Sequence, residues 1–128
     1  MTLTSGHNQF KAESESIARN RGNLSKKTGK DTFCIFIAPK INDSNIAYFF
    51  VLNQTKLSYY NGKSKIIPLE LEQFKELVKK AYASTRKPVS LDIYNFLNDI
   101  ILAIDISEDE LEWKNQINKA VLTWLEKI

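Results

Sequence analysis

The sequence holds one cysteine and one histidine, Cys34 and His7. A structural zinc site needs about four nitrogen or sulfur ligands, so the zinc-ribbon and zinc-finger classes are excluded. A lone cysteine cannot close a disulfide within the chain either. No run approaches the ~18 apolar residues of a membrane span; the longest candidates, Phe33 to Ala38 and Ile46 to Leu52, are broken by polar neighbours. The start lacks the basic-then-apolar pattern of a secretory signal, so a cytoplasmic protein with no membrane partner is expected. Four glycines and three prolines are too few for a linker or a low-complexity tract. Neither Gly-x-Gly-x-x-Gly nor a phosphate-loop pattern occurs, which leaves nucleotide binding without a mechanism.

What is present suits a folded protein. The chain has 128 residues, 43% of them hydrophobic and 26% charged, which predicts a single domain over residues 1–128 with one core. Its net charge of +3 is unevenly spread. Residues 1–64 carry nine Lys/Arg against four Asp/Glu, whereas residues 65–128 carry nine against eleven. Arg19, Arg21, Lys26, Lys27 and Lys30 follow one another with no acid between them. Such a tract suits the phosphates of a polyanion; a solvated basic loop is the competing reading, and charge alone does not choose between them.

Ser5-Gly6-His7-Asn8 offers N-cap chemistry for a helix from Gln9 to Arg21 that ends or loosens at Gly22, Asn23 and the Ser25 to Lys30 tract. The continuous run Thr32 to Ala38, closed by Pro39, predicts a strand covered on both faces. Asn42-Asp43-Ser44 caps a second helix with Ile46, Phe49, Phe50 and Leu57 on its apolar side, and Asn61-Gly62 turns the chain. Lys65 to Leu69 reads as a short strand that Pro68 places at an end or an edge. This alternation predicts an α/β layer, a short sheet flanked by helices. The second half reads as helical, with apolar faces Leu71, Phe74, Leu77, Val78, Tyr82 and then Leu91, Tyr94, Leu97, Ile101, Ile104. Ser107 to Glu110 matches a capping box before a last helix along Leu111, Ile117, Val121, Trp124 and Ile128.

Each candidate site residue has a bland alternative. Cys34 sits inside the apolar strand, as inert core cysteines do. Glu108-Asp109-Glu110 has the acids of a cation site but stands at a helix N-terminus, where negative charge is favoured anyway. His7 reads as a helix-start surface residue. Gln9 and Glu13 stand one helical turn apart on the same face; without further context they are a solvent-facing polar pair. Trp113 and Trp124 on the last helix offer a surface for a protein partner.

Thr2-Leu3-Thr4-Ser5-Gly6, then Gln9, Glu13, Ser16 and Arg19, resembles the stretch after the catalytic strand in AlwI-like and PleI-like type IIS restriction endonucleases. The likeness continues through Phe33 to Pro39, Ile66-Ile67-Pro68-Leu69 and Gln73 to Val78. It implies the C-terminal part of a PD-(D/E)XK nuclease domain, a truncated core with a mixed sheet flanked by helices and a helical C-terminal half. It also implies a Mg²⁺-dependent phosphodiesterase ancestry, in which an Asp and a Glu hold the cation, because a hard ion needs clustered oxygen anions beside the scissile phosphate. By the same resemblance those two acids precede Met1, so this chain is expected to bind no Mg²⁺ tightly and to cleave nothing alone. The resemblance implies that Thr2 falls at the position that is classically Lys, that Gln9 lines the cleft and orients the water or the phosphate, and that Glu13 braces Gln9 or a neighbouring base. Arg19, Arg21, Lys26, Lys27 and Lys30 contact the backbone of double-stranded DNA. Self-association, or a partner subunit, is expected through an exposed sheet edge. The competing classes are a non-catalytic DNA-binding module and a helical protein-interaction module.

Overall fold

The computed structural model describes residues 6–30 and 32–126, with side chains from Glu15 onward. The chain divides into two compact units, the first ending at Glu70 and the second starting at Leu71. The α/β character expected from the sequence is observed, with the helical half following the sheet.

In the first unit, helix α1 (Gly6–Thr28), strand β1 (Cys34–Ala38), helix α2 (Asp43–Gln54), a 3-10 turn at Ser58–Tyr60 and strand β2 (Ile66–Glu70) follow in order. The strands pair in parallel, from Cys34 opposite Ile66 to Ala38 opposite Glu70, and α2 is the crossover such a pair requires. Among the described residues the sheet consists of these two strands. Asn42 caps α2 as expected, its Oδ1 accepting the Ser44 amide at 2.8 Å. Ile46, Phe49 and Leu52 form the buried face of α2. Phe49 meets Phe36 of β1 edge-on, with ring centroids 5.5 Å apart; burying each such side chain contributes about 1.5–3 kcal/mol.

Three expectations change here. Leu57 is off the α2 face and 37% exposed, because Thr55 turns extended and ends the helix at Gln54. β1 is not covered on both faces: Phe36 and Ala38 are buried while Ile35 is 40% exposed. Branched and aromatic residues favour a strand whether or not both faces are covered, so composition does not report cover. Helix α1 neither ends nor loosens at Gly22 but runs on to Thr28. It stops at Gly29, whose φ of +67° and amide bond to Ser25 O at 2.9 Å make the left-handed cap that glycine adopts without strain. Gly22 stays in the helix for a tertiary reason. A Cβ there would stand 2.8 Å from Tyr60 O and 2.9 Å from Tyr60 Cα, so the missing side chain lets the Ser58–Tyr60 turn lie directly on α1.

The outer edge of β2 is closed. Cys34 N donates to Lys65 O at 2.8 Å, which turns Lys65, Ile67 and Leu69 toward β1 and Ile66 and Pro68 outward. Asn53 then stands where a third strand would, its Nδ2 donating to Ile66 O at 2.9 Å and its Oδ1 accepting Ile66 N at 3.0 Å. Pro68 has no N–H to leave unpaired, and Glu70 Oε2 accepts the Ile41 amide at 3.0 Å. The edge expected to recruit a partner is therefore not on this side.

The second unit comprises helix α3 (Leu71–Ala83), helix α4 (Ser90–Leu102), a 3-10 turn at Ala103–Ile106 and helix α5 (Glu110–Thr123). α5 packs on both α3 and α4. Trp113 is fully buried and its Nε1 donates to Ile100 O at 3.0 Å, so it anchors its own unit rather than facing a partner. Trp124 is half-buried against Phe96, with ring centroids 5.7 Å apart. On α3 only Leu77 of the expected face is buried, Tyr82 being 79% exposed. On α4 the buried residues are Phe96, Leu97 and Ile100, a stripe rotated from the expected one. Ser90 to Leu102 is apolar nearly all round, so periodicity could not pick the side that α5 covers. The α5 cap shifts by two residues. Asp109, not Ser107, accepts the Glu112 amide at 2.9 Å, and Ser107 Oγ donates to Ala103 O of the preceding turn. Among the described residues no helix is long and apolar enough to cross a membrane.

Candidate nucleic-acid interface

The basic tract lies on the last turns of α1 and the segment after it, and its five members do not share one environment. Lys26, Lys27 and Lys30 are exposed; the first two occupy the last turn of the helix, where cations complement the negative end of the helix dipole. Arg19 is half-exposed and 3.5 Å from Glu15 one turn back, a surface pair of the kind that holds a guanidinium weakly. Arg21 departs from the expected role. It is buried, 4% exposed, donating from Nε to Thr32 O at 2.8 Å and from Nη1 to Tyr60 O at 3.0 Å. Its charge ties three chain segments together instead of being presented to a polyanion.

The same ties bring a second basic segment to the tract. Ser25 Oγ donates to Lys30 O at 2.8 Å and accepts from Asn61 Nδ2 at 3.1 Å, which docks the Asn61-Gly62 turn on the end of α1. That turn is closed by an isolated antiparallel bridge between Leu57 and Gly62, with reciprocal backbone bonds of 3.2 and 2.8 Å. Asn61 and Gly62 take φ values of 60° and 97°, the left-handed geometry that Asn and Gly tolerate. Lys56 and Lys63 flank the bridge and are exposed. Sequence separation hid them from the tract, although the Asn61-Gly62 turn signal between two lysines was legible. Across residues 16–69 there are nine Lys/Arg and two Asp/Glu. Lys65 lies over the Phe33 ring, 5.2 Å from its centroid.

The other expected site residues fall elsewhere. Thr2 lies outside the described residues. Gln9 and Glu13 belong to α1, with side chains outside the described ones, as is that of His7. Gln9 and Lys26 are seventeen positions apart on one unbroken helix, about 25 Å along its axis. The fold therefore does not bring the polar pair and the basic tract to one spot. Among the described residues no group of three or more His, Cys, Asp or Glu could hold a metal ion, so these residues do not fit a Mg²⁺ site. Burial pushes the Cys34 thiol up, with the Arg21 charge opposing, which keeps it a thiol and favours the inert reading. Tyr60 is pushed up as well, first by its hydrogen bond with Tyr48 and then by burial. Its hydroxyl lies 3.4 Å from both Tyr48 Oη and Glu15 Oε1, a structural contact between the turn, α2 and α1.

Comparison with known proteins adds a family and a fold. Residues 1–77 match the AlwI restriction endonuclease family. The crystal structure of the small subunit (R.BspD6I2) of the heterodimeric restriction endonuclease R.BspD6I superposes with a TM-score of 0.73 at 22% identity. The match covers 92% of this chain and 59% of that one, so the chain spans about three-fifths of that subunit's length. At that identity the likeness concerns the fold. No curated protein sequence matches the chain.

Proposed function

This chain belongs to the AlwI restriction endonuclease family, and on that premise we propose that it is a DNA-engaging component of a type IIS restriction endonuclease of the PD-(D/E)XK kind. Its role in the restriction enzyme is to hold the duplex backbone. The observation that carries the reading is the acid-poor face of the first unit, where Lys26, Lys27 and Lys30 project from the end of α1 and Arg19 is only weakly paired. Ammonium groups there neutralise phosphates and release condensed counterions, which gives affinity without reading bases.

In this reading Thr2, Gln9 and Glu13 belong to the cleavage cleft; Gln9 and Glu13 lie in the first half of α1, and Lys26 and Lys27 in its last turn. Mg²⁺, when bound, supplies charge neutralisation and an acidified water; its carboxylates come from outside the described residues. Like R.BspD6I2, named as the small subunit of a heterodimer, the chain works with a second subunit. Incubating the 128-residue protein with duplex DNA and Mg²⁺ tests the division of labour. The expected outcome is salt-sensitive binding without cleavage. Mg²⁺-dependent cutting of plasmid by the chain alone, abolished by Gln9→Ala, overturns the claim that it cannot cleave unaided. Absence of binding at low salt overturns the DNA-holding role.

A further inference from the structure

The turn that docks on the end of α1 carries a charge arrangement that its own packing does not explain. Leu57 and Gly62 exchange both backbone hydrogen bonds, which sets the exposed Lys56 and Lys63 on either side of one isolated bridge. Within this turn segment no acid is present, since residues 44–69 contain no Asp or Glu. The turn between the two lysines is held in place by specific, partly buried contacts. Asn61 Nδ2 binds Ser25 Oγ at 3.1 Å, Arg21 Nη1 binds Tyr60 O at 3.0 Å, and Gly22 leaves the room that Tyr60 occupies. Those contacts dock the turn on the last turns of α1, which carry Lys26 and Lys27, with Lys30 in the segment that follows.

We infer that Lys56 and Lys63 form the second jaw of a phosphate clamp, closing with Lys26, Lys27 and Lys30 on the backbone of duplex DNA. The inference rests on the DNA-holding role proposed above and adds to it a segment distant in sequence. A polyanion backbone that reaches both jaws is neutralised by lysines from two chain segments at once. The jaws are pre-positioned by hydrogen bonds to backbone, so little ordering is required on binding. Arg21, Ser25, Gly22 and Asn61 then act as positioning residues that touch no DNA.

The test is the salt dependence of binding to a fluorescent non-specific duplex, measured by anisotropy on the full chain. Four proteins are compared with the unaltered one: Lys56→Gln/Lys63→Gln, Lys56→Arg/Lys63→Arg, Lys26→Gln/Lys27→Gln, and Lys79→Gln/Lys119→Gln in the helical unit. All are surface changes, and circular dichroism checks that each remains folded. Every phosphate that a variant no longer neutralises lowers the log–log slope by about 0.9, so the glutamine pair at Lys56 and Lys63 is expected to lower it by about 1.8. The arginine pair is expected to keep the slope, and the Lys79/Lys119 pair to leave it unchanged. A slope unaltered in Lys56→Gln/Lys63→Gln but reduced in Lys26→Gln/Lys27→Gln overturns the clamp and leaves the DNA-holding role standing. Absence of salt-dependent binding by the unaltered chain overturns that role itself.

Discussion

In the first unit the long-range ties are polar side chains bonded to backbone or, for Asn61, to the Ser25 hydroxyl, whereas in the second they are helices packed through tryptophan. Arg21, Ser25, Asn53, Asn61 and Glu70 each fasten one segment of the α/β unit to another. In the helical unit Trp113 fills the core and spends its one donor on Ile100 O. Charge is used differently too. Residues 1–70 hold ten bases and five acids, while residues 71–128 hold eight and ten. The helical unit also pairs its charges internally, as Lys75 with Glu72 and Arg86 with Asp92. A unit that fastens its loops with neutral amides, hydroxyls and one buried guanidinium leaves Lys26, Lys27, Lys30, Lys56 and Lys63 exposed on its surface. That is the arrangement expected of a surface that meets phosphate, and the helical unit lacks it.

The contrast can be broken most forcefully at Trp113. Trp113→Ala removes the largest fully buried side chain and should cost about 3–5 kcal/mol, read as an early loss of helical signal in urea. DNA binding by the α/β unit is expected to outlast that loss if the two units carry separate duties. Arg21→Met comes next, at roughly 3 kcal/mol, since it strips two carbonyls of a charged donor at about 1–3 kcal/mol each. Its duplex-binding salt slope in native buffer should fall by less than that of Lys26→Gln/Lys27→Gln. A larger fall would return Arg21 to the DNA surface. Gly22→Ala places a methyl against Tyr60 backbone and should destabilise by about 1–3 kcal/mol, despite alanine's better helix propensity. A stabilised Gly22→Ala protein would mean that the turn does not rest on α1.

Two further changes should barely move stability and so sharpen the comparison. Lys26→Gln/Lys27→Gln should stay within about 0.5 kcal/mol of the parent in denaturant melts while weakening duplex binding. At the start of α4, Arg86 holds the half-buried Asp92 carboxyl below its ordinary 3.8, first through their hydrogen bonds and then through the Val89 amide. Because the folded value is depressed, this contribution is complete above 3.8 and is lost as pH falls through the lower folded value. Carboxyl chemical shifts followed by NMR should show the Asp92 midpoint moving up toward 3.8 in Arg86→Gln. An unmoved midpoint would assign the depression to the helix start alone.

Much of this was readable in the residues. Asn42-Asp43-Ser44 announces the α2 cap, Asn61-Gly62 the turn, and Pro68 an edge, because each acts through geometry within a few residues. Where a local rule met a tertiary contact, the rule gave way. Gly22 looks like a helix end and is a contact surface. Ser107 looks like a cap and yields to Asp109, since its own hydroxyl bonds the preceding turn. Arg21 looks like its four basic neighbours, and nothing adjacent to it in the chain signals that Thr32 O and Tyr60 O consume it. Lys56 and Lys63 look unrelated to Lys26 because the bond from Asn61 to Ser25 spans 36 positions.

By itself the sequence determined the α/β order, the charge imbalance between the halves, the caps and turns, and the lack of ligands for a zinc or disulfide scaffold. Composition and short-range backbone preferences suffice for those. Only the tertiary structure decided which cations are buried and which face solvent, which stripe of α4 is covered, and that two basic segments share one end of α1. Those outcomes depend on hydrogen bonds and packing between residues far apart in the chain, whose energies no local window contains.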